Sequence, residues 1–243
     1  SHIDADHIGG IVGLIEDEDF GAHFADIWFN GFQHLPQPTG KTRNFQQGET
    51  LTAALTGRVT NHPLPWNKAF SGKAVARPDD HPKTGKCLVD PPVYRTEWGL
   101  QITLLSPTTK RLISLSRGWN GYLQKLKAGE SSLQTYQPRT RGIETTDDLE
   151  KLAAVESNKD ATAPNGSSIA FLLEFGGHSC LFAADAFATV LYPALSWIAR
   201  SRGLERLEID AFKLPHHGSR GNVLSPLFDV VRAKNYLVST SGA

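Results

Sequence analysis

Methionine is absent from the 243 residues of this sequence, and cysteine occurs only twice, at Cys87 and Cys180. Two cysteines that lie far apart and form no CxxC pair argue against a disulfide framework and against a cysteine zinc site. A reducing compartment is the default for such a chain, so we expect a cytoplasmic location. No stretch reaches the about 18 uncharged apolar residues of a membrane span, and no signal peptide is visible.

Net charge is also lacking. The chain has 25 Lys and Arg residues against 25 Asp and Glu residues. A neutral chain gives no general electrostatic attraction to nucleic acid or to a membrane surface, although a local basic patch stays open. Nothing in the composition indicates an oligomeric state.

Apolar runs that alternate between strand-like and helix-like patterns predict an α/β sheet. The predicted strands span residues 100–105, 168–175, 179–183, 207–214 and 236–239. The predicted helices span residues 10–15, 48–60, 109–128 and 187–202. Proline and glycine are dense between residues 31 and 100, which argues against long elements there. Residues 129–165 are polar and predict a surface excursion.

The chain opens on SHIDADHIGG, which places His2, Asp4, Asp6 and His7 within six residues. Four such side chains cannot share one face of a helix or strand, but on a loop they can converge on a metal pair. Imidazole together with carboxylate suits zinc, manganese or iron. The alternative interpretation is a solvated acidic loop with incidental histidines.

Two further motifs follow predicted strands. Asp185 ends SCLFAAD, where ligand sites form in α/β sheets, although a lone Asp there is also typical of a helix N-cap. His216 and His217 follow the next predicted strand in LPHHGS. Neighbouring side chains point in different directions in extended chain, so one histidine could bind metal while the other does not. A structural role for both histidines stays open.

Together, HIDADHIGG, the strand ending at Asp185 and KLPHHGS resemble the metallo-β-lactamase fold. They also resemble the metallohydrolase domain attached to ComEC competence channels and the stand-alone relatives of that domain. The resemblance covers residues 1–10 and about 165–242, and residues 31–164 match only loosely. It implies a fold of class α/β, a metallo-β-lactamase-like four-layer αβ/βα sandwich. We expect one domain over residues 1–243, truncated at both ends and lacking its N-terminal strands, with a loop-rich insertion around 31–164.

The resemblance also implies roles for individual residues. His2 and Asp4 would serve a first metal ion, Asp6 and His7 a second, and Asp185 would bridge both. His217 would complete the second site, because the family's last histidine stands before a small or acidic residue. Asp6 and Asp185 would act in catalysis, and the residues behind the ligands or facing the substrate would be Asn165, His216, Ser219 and Arg220.

One departure from the family pattern concerns a histidine expected some 20 residues before Asp185. The sequence APNGSSIAF has none there; Asn165 stands closest, and His178 is expected to be exposed at the far end of the strands. Fewer nitrogen ligands harden the first site, so we expect one or two divalent ions, zinc or manganese, with manganese well tolerated.

The function implied is metal-dependent hydrolysis by an activated water. The substrate would be a phosphodiester or a related anion, either a small molecule or nucleic acid. A carboxylic ester, lactone or thioester hydrolase on the same site is the alternative enzyme. A catalytically idle metal-binding module is the alternative outside enzymes.

Overall fold

The computed structural model describes residues 3, 5–17, 23–36, 46–57, 62–127 and 161–239. The strands are β1 (Val93–Arg95), β2 (Gln101–Ser106), β3 (Ala170–Phe175), β4 (His178–Phe182), β5 (Leu207–Lys213) and β6 (Val231–Leu237). The α-helices are α1 (Ala5–Glu16), α2 (Gln46–Leu55), α3 (Thr109–Lys127), α4 (Ala163–Gly166), α5 (Ala188–Ser201) and α6 (Ser225–Val230). Short 3-10 turns span Phe32–His34, Lys68–Phe70 and His216–Gly218.

The six strands form one mixed sheet in the order β1-β2-β3-β4-β5-β6. The first four strands pair antiparallel, whereas β4–β5 and β5–β6 pair parallel. Gly176 and Gly177 join β3 to β4 with φ of 57° and 81°. Two central residues with positive φ match the twist of a tight hairpin, and glycine adopts this conformation without steric cost. The parallel strands are joined through α5 and α6, so β4, β5 and β6 all end at the same edge of the sheet.

Helix α5 packs on the sheet and contacts both its antiparallel and its parallel half. Helix α5 carries an apolar face of Leu191, Ala194, Leu195 and Ile198, which are all buried. This face packs into the largest apolar cluster of the described residues, together with side chains from β2 to β6 and from α6. Burial of this kind stabilises the fold by about 25 cal/mol per Å² of apolar surface. The carboxyl ends of β4 and β5 are therefore held by a well-packed apolar core.

A second apolar cluster packs α1 against α2 and α3. Ile8 of α1 is 1% exposed and Trp119 of α3 is fully buried. A side chain at Gly48 of α2 would lie 2.6 Å from the ring of Trp119, so only glycine allows this close approach. The buried Ile8 fixes the rotation of α1, and with it the direction of its neighbour His7.

The prediction of an α/β fold is confirmed, and most strand bounds agree within two residues. Helix α1 begins at Ala5, five residues before the predicted start, so Asp6 and His7 lie in a helical turn and not on a loop. The last strand was placed too late: β6 begins at Val231, where the alternation of buried Val231 and Ala233 with exposed Arg232 was missed. Residues 128–160, most of the predicted surface excursion, lie outside the described residues.

No helix in the described part of the chain has the length and apolarity that a membrane crossing requires.

Arg77 ties the loop before β1 to the sheet and to α5. Its side chain is 1% exposed and donates hydrogen bonds to the carbonyl oxygens of Leu105 and Val190. It also forms a bidentate pair with Asp80. A buried cation with this many partners fixes the local backbone, because any movement of the guanidinium would break several hydrogen bonds at once.

Replacement of Arg77 by methionine should therefore lower the free energy of unfolding by about 3–5 kcal/mol, since Asp80 and two buried carbonyls lose their partner. Urea denaturation measures the change. The control is Arg206→Met, which removes an exposed pair with Glu208 and should cost no more than about 1 kcal/mol. Equal losses in the two variants would show that Arg77 contributes no more than a surface pair.

Candidate metal centre

The site lies where the parallel strands end. Asp185 follows β4 and His217 follows β5, and these neighbouring strands run in the same direction. Their carboxyl ends meet at one edge of the sheet, the usual place of ligand sites in α/β folds. Helix α1 brings His7 to this edge from the other apolar cluster. Three segments that are distant in sequence therefore converge.

The distances describe a compact group. The Nε2 atom of His7 lies 3.2 Å from Oδ2 of Asp185, and Nε2 of His217 lies 4.0 Å from the same oxygen. Among the described residues, His7, Asp185 and His217 form the group that could hold a metal ion, with one ligand atom from each within 4.8 Å of the others. The side chain of Asp185 is 3% exposed. A carboxylate buried this deeply favours a cation beside it, because an uncompensated buried charge is costly.

His216 also faces this carboxylate. Its Nε2 lies 3.8 Å from Oδ2 of Asp185. The expectation that the two histidines diverge assumed extended chain, but the turn is not extended: φ is 47° at His216 and 55° at His217. In this left-handed conformation both imidazoles turn towards β4. His216 is not one of the three residues whose ligand atoms lie together, which leaves it beside the group.

Backbone strain is concentrated at this edge. Five described residues other than glycine have positive φ, and three of them are Ala184, His216 and His217. Each such conformation costs on the order of 1 kcal/mol or more and persists only where surrounding contacts enforce it. Here the N–H of His216 donates to the carbonyl of Ala184 at 2.9 Å, which joins the two strand ends directly. The strained backbone conformation at these residues thus occurs where both histidines approach Asp185.

Hydrogen bonds set the tautomers of both histidines. Nδ1 of His217 lies 3.0 Å from the carbonyl oxygen of Ser239, which can only accept, so Nδ1 carries the hydrogen. Asn222 donates its amide N–H to the carbonyl of Asp185, so its Oδ1 accepts from Nδ1 of His216 at 3.0 Å. In the neutral rings Nε2 is then a lone-pair donor that faces the carboxylate. Histidine ligands in metal sites are held in this way.

Ser168 and Lys213 complete the surroundings of Asp185. The hydroxyl of Ser168 accepts a hydrogen bond from the N–H of Asp185 at 3.2 Å. The ammonium of Lys213 donates to the carbonyl of Leu214. Partial burial lowers the pKa of Lys213, and the nearby Asp185 carboxylate opposes that shift. Asp185 thus lies within the field of a cation as well as next to three imidazoles.

Several of the predicted site residues are not part of this three-residue group or lie outside the described residues. His2 and Asp4 lie outside the described residues, and for Asp6 only the place in the first turn of α1 is described. Asn165 is buried in α4, three residues before Ser168. Ser219 and Arg220 follow the histidine turn, Ser219 half-buried and Arg220 exposed. His178 is 83% exposed at the opposite end of β4, as predicted.

The residues that support the histidines, Asn222 and Ser239, were not predicted. Ser239 had a usable signal: it ends the predicted strand 236–239, and a parallel strand beside β5 would bring it to the same edge. Asn222 had none, because its role depends on the tight turn that follows His217.

Comparison with protein-family models, with curated proteins and with solved structures finds no match to this chain.

The geometry predicts unequal effects of the two neighbouring histidines on metal binding. His217→Ala should weaken zinc or manganese binding at least about tenfold, because it removes one of three converging ligand atoms. His216→Ala should leave the metal content nearly intact. Metal analysis after dialysis against a limiting metal concentration measures both, and His178→Ala serves as the control because it removes an exposed histidine far from Asp185. Equal losses from the two site variants would contradict the assignment.

Proposed function

We propose that this protein is a metal-dependent hydrolase that uses an activated water to cleave a phosphodiester or a related anionic substrate. The observation that supports it most is the convergence of His7, Asp185 and His217 at one sheet edge. Two imidazoles and one carboxylate leave positions on a divalent ion open for water and substrate, as in catalytic rather than structural sites.

The proposed fold is the metallo-β-lactamase-like αβ/βα sandwich. Its support is the order of the parts: a His- and Asp-rich segment leads into α1, the β3–β4 hairpin ends before Asp185, and β5 ends before the histidine pair. The mixed sheet with α5 on one face is compatible with half of such a sandwich.

The donor set fits zinc, manganese or iron, because imidazole nitrogen suits borderline ions and carboxylate oxygen suits harder ones. A bound divalent ion would lower the pKa of a coordinated water to about 7 and would polarise the substrate oxygen. The chain itself holds Nε2 of His7 and Nε2 of His217 within 4.0 Å of Oδ2 of Asp185, so little reorganisation is needed when an ion binds.

The remaining residues have proposed roles in proton transfer and orientation. His216 has its Nε2 directed at the site while Asn222 holds its other nitrogen, so it can orient the water or the leaving group. Asp6 is the proposed proton acceptor, on the strength of the resemblance. Lys213 adds positive charge near Asp185, which favours an anionic substrate.

A thiol nucleophile is disfavoured. Burial raises the pKa of both Cys87 and Cys180, so the thiols stay protonated at neutral pH, whereas a reactive cysteine needs a lowered pKa. An activated water, rather than either thiol, is therefore the proposed nucleophile.

The second candidate is a metal-binding module without catalytic activity. The observation that favours it is the small number of converging ligand atoms, three in the described part of the chain. If His2 and Asp4 add a second ion, its site holds more oxygen than nitrogen, with the buried Asn165 in place of the histidine. Such a site binds zinc less tightly and tolerates manganese better.

Hydrolysis of bis-p-nitrophenyl phosphate tests the proposal. We expect turnover that is abolished by EDTA and restored by Mn²⁺ at least as well as by Zn²⁺. Asp185→Asn should lower the restored rate at least about tenfold, because the carboxylate at the centre of the group is lost. The matched control is Asp210→Asn, which neutralises a half-buried carboxylate in the middle of β5 that pairs with His178 and Lys234.

The outcomes separate the candidates. Metal binding without turnover of this diester supports the idle module, unless a panel of lactones and thioesters is hydrolysed, which supports the other enzyme class. Turnover that survives both EDTA and Asp185→Asn would contradict a metal-dependent mechanism.

A further inference from the structure

A small pocket lies against the chain segments that carry Asp185 and Asn222. Its volume is about 160 Å³. The lining residues are Arg111, Ala161, Phe187, Ala188, Thr189, Gly221 and Leu224. Two of its walls belong to the segments that build the centre: Phe187 follows Asp185 by two residues, and Gly221 precedes Asn222. Complete ligand pockets measure about 300–1,000 Å³, so this pocket fits one group of a larger substrate.

Arg111 is the charged residue of this pocket. Its guanidinium carbon lies 4.7 Å from the ring centroid of Phe187. The other walls are mostly apolar, and in the described part of the chain no carboxylate forms an ion pair with Arg111. Arginine stays protonated under all ordinary conditions, so a positive charge faces the pocket.

The position of Arg111 is held by close packing. A side chain at Gly166 would lie 2.9 Å from Cε2 of Phe187 and 3.4 Å from Cδ of Arg111. Glycine at this position therefore lets the ring and the arginine stem lie directly on α4. Partial burial also lowers the pKa of Arg111, because burial disfavours the charged form. A cation that is held in place and partly dehydrated binds an anion more strongly than a mobile surface arginine does.

Simple packing against Phe187 would explain the stacked guanidinium but not its place in a pocket. A cation–π contact contributes only about 0.5–2 kcal/mol and needs no open space. The pocket leaves open space next to the planar guanidinium, which can bind two oxygens of a phosphate or a carboxylate at once. The first turn of α5, at Ala188 and Thr189, adds the positive end of a helix dipole to the same pocket.

We propose that Arg111 binds a second anionic group of the substrate, a phosphate adjacent to the bond that is cleaved at the metal centre. For the substrate, this inference rests on the proposed phosphodiesterase function. It narrows the class from diesters in general to diesters that carry a neighbouring phosphate, such as short oligonucleotides with a terminal phosphate.

Inorganic phosphate, with EDTA present, tests the pocket without the metal centre. We expect phosphate to raise the Tm of the parent protein by about 2 °C or more, relative to chloride at the same ionic strength. Arg111→Met keeps an aliphatic stem over Phe187 and should abolish this shift. Arg117→Gln, an exposed arginine on the same helix α3, should keep it. Arg111→Lys, which keeps the charge but not the planar group, should retain part of the shift and covers the case that the methionine variant folds poorly.

The substrate preference is tested with thymidylyl-thymidine, with and without a 5′-phosphate, in the presence of Mn²⁺. The parent protein and Arg117→Gln should show a kcat/KM at least about tenfold higher for the phosphorylated dinucleotide, and Arg111→Met should lose the preference.

The two experiments distinguish failure of the proposed hydrolase function from failure of the proposed anion pocket. Absence of turnover with both dinucleotides, together with an Arg111-dependent phosphate shift, overturns the proposed hydrolase but supports the anion pocket. A phosphate shift that is unchanged in Arg111→Met and Arg111→Lys overturns the pocket, whatever the turnover.

Discussion

The candidate site depends on one constraint, the common direction of β4, β5 and β6. Because these strands are parallel, Asp185, the histidine pair and Ser239 all emerge at the same edge of the sheet. An antiparallel β5 would send its histidines to the opposite end, where His178 lies. The buried side chains of α5 and α6 pack on the strands of this sheet, so the apolar core fixes the geometry of the polar group.

The polar group is in turn organised by its neighbours. Ser239 and Asn222 each hold Nδ1 of one histidine and leave Nε2 directed at Asp185. Left-handed backbone at both histidines is needed for this arrangement. Strained turns of this kind are concentrated at functional sites, because they cost free energy and persist only where surrounding contacts enforce them. The strain and the fixed tautomers together support a role in binding rather than in packing.

The sequence was most informative where apolar residues alternate regularly and where glycines mark a turn. Alternating strands and helices and the Gly176–Gly177 turn predicted the sheet, and the density of ligands at its strand ends predicted the approach of His7, Asp185 and His217. It could not predict that α1 begins at Ala5, because the start depends on how Ile8 packs in the apolar cluster around Trp119. Nor could it place Arg111 beside Phe187, since that proximity arises from the packing of α3 on α4 across a long stretch of chain.

The central claim is that His7, Asp185 and His217 jointly bind one divalent ion. Anomalous diffraction from crystals soaked in zinc or manganese, recorded on both sides of the metal absorption edge, tests it most directly. If these three side chains hold one ion, a peak will appear about 2.0–2.2 Å from Nε2 of His7, a carboxylate oxygen of Asp185 and Nε2 of His217. A strong peak at another group of side chains, with none at these three, would contradict it.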